Sequence, residues 1–213
     1  MHRRNRIKKA AIAVAAALAA LIAITLPGCF TLSGGTWAFK SASTPERWPE
    51  LTPIGEVVIR EYPAYRHAII RRNGLADGDA GTSSMFRSLF GHISSHDIAM
   101  TAPVDMEYGA GSPDAGMASM AFLYRTRELG ATGTDGAVVV EDVEAMTFAS
   151  VGVRGDYSDD NYAEGLAILN AWAASQSEWK MIGEPRYLGY NGPFTPRFWR
   201  YGEVQVPVSL RGR

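Results

Sequence analysis

From Gly55 onward the chain reads as short runs of β-branched and aromatic residues interrupted by two helical stripes. Glu56–Tyr62 (EVVIREY) and Ala64–Arg72 (AYRHAIIRR) predict two strands with a bend at Pro63, which cannot donate a ladder hydrogen bond. Asn73-Gly74 and Asp77-Gly78 predict turns, and Thr82 or Ser83 offers a cap for a following helix. In that helix Phe86, Leu89, Phe90 and Ile93 recur at i, i+3, i+4 and i+7, one apolar stripe. Two further strands are predicted at Ile98–Tyr108 and Met117–Thr126, joined by a Gly/Pro/Asp loop.

The order then repeats. Ala137–Val143 and Met146–Arg154 read as strands, and Asp159 or Asp160 caps a helix with Tyr162, Leu166, Leu169 and Ala173 on one face. Met181–Tyr190 and Arg200–Val206 read as two closing strands. A shift of 81 positions lays Val57 on Val138, Val58 on Val139, Ala64 on Ala145, Ala68 on Ala149 and Gly74 on Gly155. Each half is therefore β-β-α-β-β. Two such units can pair their strands into one curved sheet or barrel with both helices outside, an α+β fold.

The segment ahead of these halves has a different pattern. Arg3, Arg4, Arg6, Lys8 and Lys9 precede an uncharged, Ala-rich run from Ala10 to Leu26. A basic start followed by such a run reads as a signal peptide or membrane anchor over residues 1–28. It ends Leu26-Pro27-Gly28-Cys29, which resembles a bacterial lipobox, and the lone cysteine of the chain stands where the lipid would be attached. A thiolate is the one nucleophile in this region suited to taking a diacylglyceryl group. An uncleaved anchor helix with Cys29 as a bystander is the alternative. Either reading puts the rest of the chain outside the cytoplasm, tethered to a membrane on the extracytoplasmic side. Residues 29–53, with Ser33, Gly34, Gly35, Ser41, Ser43, Pro45 and Pro49, read as the lipidated cysteine and a flexible tether. Residues 54–208 form the domain, on which Trp48 of the tether is a candidate to pack.

Charge is unevenly spread along the chain. The chain of 213 residues has 21 basic and 22 acidic side chains, a net charge of −1. The five basic residues of the leader leave 16 against 22, so the exported part carries about −6. Such a surface repels phosphate, and nucleic acid is excluded as a partner. One cysteine excludes an internal disulfide and the cysteine-rich zinc sites. There is no G-x-S-x-G, P-loop or G-x-G-x-x-G motif and no serine–histidine–aspartate spacing.

Three histidines lie in the domain. His67 sits in a predicted strand and is a weak candidate for iron, with a structural role as the competing reading. His92 and His96 are spaced to share a helix face, but Ser94-Ser95 suggests that the helix has ended there, and no third ligand is near in sequence. Thr101 can satisfy a nearby backbone group, and Pro103 belongs at an edge or bulge.

Ile98-Ala99-Met100-Thr101-Ala102-Pro103-Val104 is the centre of a resemblance to the SOUL haem-binding family. Val58-Ile59-Arg60-Glu61-Tyr62-Pro63-Ala64-Tyr65 resembles that family's first strand pair, and Phe86-Arg87-Ser88-Leu89-Phe90-Gly91 its first helix. Gly183-Glu184-Pro185, Tyr190-Asn191-Gly192-Pro193-Phe194-Thr195-Pro196 and Glu203-Val204 resemble its C-terminal signature. The resemblance implies a twisted antiparallel β-barrel of about eight strands flanked by two helices, and binding of haem or another tetrapyrrole in an apolar groove. In that groove Met85, Phe86, Leu89 and Phe90 supply apolar surface and Arg87 meets a propionate. Met100 lines it, and Tyr190, Phe194 and Arg197 form the opposite wall. One branch of the family has a proposed axial histidine in the first strand. Glu61 takes that place here, and a carboxylate is a poor haem-iron ligand. The expected partner is thus a small planar apolar ligand. Two alternatives stay open: an enzyme acting on a tetrapyrrole or polyene, with Glu61 as a buried acid, and an envelope module gripping a lipid or peptide.

Overall fold

The computed structural model describes residues 30–33, 36–72, 81–112 and 115–212. The leader and Cys29, the turns expected at Asn73-Gly74 and Asp77-Gly78, and part of the loop before Met117 lie outside the described residues. A two-stranded hairpin comes first, β1 (Phe30–Ser33) with β2 (Thr36–Phe39). The first half then supplies β3 (Val57–Tyr62), β4 (Tyr65–Arg71), helix α1 (Thr82–Ser95), β5 (Val104–Tyr108) and β6 (Met117–Leu123). The short β7 (Gly133–Asp135) precedes the second half. That half supplies β8 (Val138–Val143), β9 (Met146–Arg154), helix α2 (Asp159–Ser175), β10 (Trp179–Met181), β11 (Arg186–Gly189) and β12 (Tyr201–Leu210).

Ten strands form one antiparallel sheet in the order β3-β9-β12-β11-β5-β6-β4-β8-β7, with β10 beside the far end of β12. The fold is α+β, as expected. The sheet, however, ends at β3 and β7, which are not paired with each other among the described residues, so it is open and not a closed barrel. The duplication is visible in the pairing. β4 pairs with β8 and β9 with β3, so each half lends its second strand to the other half's first. β5 and β11 meet at the centre, where Met106 faces Tyr187, and these two positions are 81 apart. A pseudo-twofold axis passes through that pair.

Several expected boundaries shift. Ile98–Pro103 is not strand but a connection held from outside: the Thr101 hydroxyl donates to the Leu123 carbonyl and the Ala102 N–H to the Ser43 carbonyl, with the Ala102–Pro103 peptide cis. The strand expected over Met181–Tyr190 is split into β10 and β11 around Gly183. The cap of α2 is Ser158, whose hydroxyl accepts from the Asn161 N–H at 3.3 Å, so Asp159 and Asp160 fall in the first turn. There their charge suits the positive end of the helix.

Strand alternation gives the sheet two distinct faces. Both helices lie on one. There Ala68, Ile70, Met106, Met120, Phe122, Ala149, Val151, Val204 and Val206 form one core with Met85, Leu89, Tyr162 and Leu169 from the helices. Gly165 lets α2 approach closely, since a Cβ there would lie 2.5 Å from Cγ2 of Val204. The other face is polar and is crossed by a strap, residues 41–54, all but the last of them in the span expected to be a tether. Leu51 and Thr52 are buried, and Trp48 packs edge-to-face on Tyr62 (4.7 Å) and Tyr65 (5.5 Å).

Candidate functional site

Helix α1 carries the candidate groove residues, and its packing sorts them. Met85 and Leu89 are fully buried in the core, so they support the helix and offer no surface to a ligand. Phe86 is half-buried, with its edge against Phe122 at 5.0 Å. Phe90, one turn on, is 49% exposed, and its ring lies 8° from parallel to Phe86 with centroids 6.3 Å apart. The pair forms an aromatic ledge whose inner half is anchored in the core and whose outer half faces solvent. Arg87 is exposed beside it. Met100 is half-buried against the same core.

The other expected wall is divided. Tyr190 is buried in a second cluster with Leu51, Ala102, Leu188 and Tyr201, where its hydroxyl accepts from the Trp48 indole at 3.2 Å. Burial holds its phenol well above the usual range. It has no surface to give a ligand. Phe194 is 99% exposed, and Phe198 and Trp199 beside it are also exposed. Arg197 is exposed and 3.4 Å from Asp156. This loop is tied to the end of β9, where Arg154 donates to the Trp199 carbonyl, and to Ser41, whose hydroxyl accepts from the Gly192 N–H at 2.7 Å.

His67 lies on the polar face, buried, with Nε2 3.2 Å from Glu141. Burial pushes its pKa down, against the pull of the Glu141 hydrogen bond. Glu141 also receives Arg71, whose hydrogen bond holds the carboxyl below the usual range. At the centre of this face stands a buried ion pair, Arg186 with Asp105 at 2.9 Å. Arg186 also donates to Tyr65 (2.9 Å) and Gln205 (3.0 Å), and its guanidinium lies 3.9 Å over the Phe148 ring. Burial pushes the Asp105 carboxyl up against the pull of Arg186. Next to it, Glu203 accepts from the Thr52 N–H and from Tyr62, Ser150, Tyr201 and Gln205. Glu61, by contrast, is exposed on β3, so it lacks the burial that a proton-transfer role would need.

Two features lie outside the expected groove. An open cleft of about 640 Å³ lies at the end of α2, lined by Ile59, Trp172, Trp179 and the 174–178 turn. The spacing of the two tryptophans across a helix end is a signal that could have marked it. The second is at the end of α1, which runs to Ser95 and so keeps His92 and His96 on one face, with rings 4.4 Å apart. The two serines do not end it early.

Among solved structures the fold has distant counterparts. A hydrolase from Listeria innocua superposes with a TM-score of 0.56 at 10% identity, covering 74% of this chain and 93% of that one. The EcmrR C-terminal domain gives 0.52 at 15%, covering 72% and 97%. EcmrR in its complex with DNA gives 0.54 at 17%, where the match covers 72% of this chain and 57% of EcmrR. At these identities the likeness is one of fold alone. No curated protein sequence matches the chain. The family whose description is "SOUL heme-binding protein" matches residues 51–207, nearly all of the domain with both halves, and the chain belongs to that family.

Proposed function

We propose that this protein binds haem or a related tetrapyrrole, seated on the α1 ledge. Family membership supports the ligand class. The observation that carries the seat is Phe90, half-exposed yet held parallel to Phe86. A planar conjugated ring gains most from such a surface, by burial and by stacking. Arg87 supplies a cation for a propionate, with Met100 at the margin. The test is titration of the purified protein with haemin, followed in the Soret band. One-to-one saturable binding is expected, weakened in Phe90→Ala and Arg87→Ala with folding unchanged, since both side chains are exposed. Non-saturating binding would sink the reading, and loss in Trp172→Ala with Phe90→Ala unaffected would move the seat to the α2 cleft.

The binding domain is held at a membrane on the extracytoplasmic side, through lipid on Cys29 or through the leader as an anchor. What supports this is the leader's pattern and the exit of the strap. Ser41 is fastened beside Tyr190 and Gly192, so the chain leaves toward Cys29 from the loop that exposes Phe194, Phe198 and Trp199. Aromatic side chains suit a membrane interface, and the same loop is what a lipid- or peptide-gripping role would use. Labelled palmitate should enter the protein and not its Cys29→Ser variant. An unlabelled wild type in the membrane fraction would leave the anchor form.

A further inference from the structure

The end of α1 holds a group that the tetrapyrrole reading does not use. His96 caps the helix, with its N–H on the His92 carbonyl at 3.2 Å. Asp135, the last residue of the edge strand β7, brings a carboxylate oxygen 2.7 Å from Nδ1 of His92. One nitrogen of each ring and one Asp135 oxygen all lie within 4.8 Å of one another.

The hydrogen bonds decide what these atoms can do. Nδ1 of His96 lies 2.9 Å from the His92 carbonyl, which can only accept. The nearby Ser95 hydroxyl donates to that same carbonyl. Nδ1 of His96 therefore carries the proton and Nε2 keeps its lone pair, the arrangement found in ligating imidazoles. His92 is held on its other side: Nε2 is 3.0 Å from the hydroxyl of Tyr124, a residue 1% exposed. A tyrosine hydroxyl donates or accepts. With Tyr124 donating, the His92 proton sits on Nδ1 and bonds to Asp135. With Tyr124 accepting, the Nδ1 lone pair and the carboxylate face each other, and a cation between them satisfies both.

We propose that His92, His96 and Asp135 form a binding site for a borderline divalent transition ion of the Zn²⁺ type. Two imidazoles and a carboxylate match that class, and one position is left for water. A hard ion such as Mg²⁺ or Ca²⁺ would want more oxygen ligands. Tetrahedral ligation at about 2.0–2.2 Å sets neighbouring ligand atoms roughly 3.3 Å apart. The His92–Asp135 gap must open slightly and the longer separations must close. His96 and Asp135 are exposed and can move, while His92 stays fixed by Tyr124.

The experiment is a Zn²⁺ titration of the full, untagged chain, free of haemin, against a chromophoric chelator. One ion per chain is expected. Its affinity should fall at least about tenfold in His96→Ala and Asp135→Asn, and about tenfold in Tyr124→Phe. Urea midpoints of the two surface variants confirm that they fold. Co²⁺ in place of Zn²⁺ should give the visible bands of a four-coordinate site, lost in His96→Ala. Absence of saturable binding, or binding unchanged in both His96→Ala and Asp135→Asn, would overturn the proposal. The tetrapyrrole reading would stand either way, because the two sites share no residue.

Discussion

The Arg186–Asp105 pair offers the sharpest test of how the two halves are held together. Both side chains are more than nine-tenths buried, and the bond between them joins β11 to β5 across the pseudo-twofold axis. Arg186→Met leaves Asp105 as an uncompensated buried carboxylate and takes a donor from Tyr65 and Gln205. Breaking one partner of such a pair costs about 3–5 kcal/mol. Asp105→Leu leaves the guanidinium without its counter-charge and should cost a similar amount. In the double variant no charge is stranded. What remains is the loss at Tyr65 and Gln205, about 1–3 kcal/mol for each unmet buried polar group. The sum of the single effects should therefore exceed the double by several kcal/mol. Urea unfolding of the four proteins measures this cycle, and a double variant that folds where both singles fail has the same meaning. A double variant that loses as much as the two singles combined would refute the argument, because the charges would then contribute independently of each other.

Three further outcomes follow from named contacts. His67 has a folded-state pKa below its ordinary value of 6.5, so the unfolded chain binds the proton more readily. Stability should be fully present above pH 6.5 and decline as pH falls toward the folded value. His67→Gln should flatten that part of a stability-versus-pH curve, and an unchanged slope would show that burial of the ring does not lower its pKa. Glu141, held down by its bond from Arg71, extends the same sign of dependence lower: its contribution is complete above the ordinary 4.5 and is lost as pH falls through the folded pKa. Arg71→Ala should narrow that window in an acid titration followed by fluorescence. Gly165→Ala puts a methyl 2.5 Å from Val204 Cγ2 and 3.2 Å from Val153 Cγ1. Overpacking should outweigh the helix gain of roughly 1 kcal/mol and lower the thermal midpoint, and a raised midpoint would show that α2 can move off the sheet.

Most of the domain was legible because its elements follow local pattern. The strand expected over Met146–Arg154 is β9 to the residue, and the stripe Phe86, Leu89, Phe90, Ile93 lies in α1. What failed was non-local. Ile98–Pro103 has a strand-like composition, yet its polar groups are met by Leu123 and Ser43 and not by a ladder. The strap reads as linker because Ser, Gly and Pro dominate it, while two of its anchors reach more than 140 residues along the chain: the Trp48 indole donates to Tyr190 and the Thr52 N–H to Glu203. The family resemblance also implies a ligand-facing surface at Met85, Leu89 and Tyr190, which are buried in the core. An apolar stripe does not say which edge of it stays outside. Asp135 was invisible as a neighbour of His92, since a three-residue exposed strand has no hydrophobic period to announce it.

The internal repeat shows how one unit came to make two different faces. The identities that survive at a shift of 81 include Ala68 and Ala149, both fully buried beneath the helices. There the two halves face the same demand: small or branched residues that let a helix lie close. On the opposite face the equivalents have parted. His67 matches Phe148, and Asp105 matches Arg186. Identical halves would bring two aspartates or two arginines together at the axis, a like-charge contact in a buried site. Opposite charges at equivalent positions remove that repulsion and bind β5 to β11. Once they do, the pairing specifies which half is which. The face beneath the strap is then no longer symmetric, and Trp48, Leu51 and Thr52 can be fitted to it in one orientation only, over Tyr62, Tyr65 and Glu203.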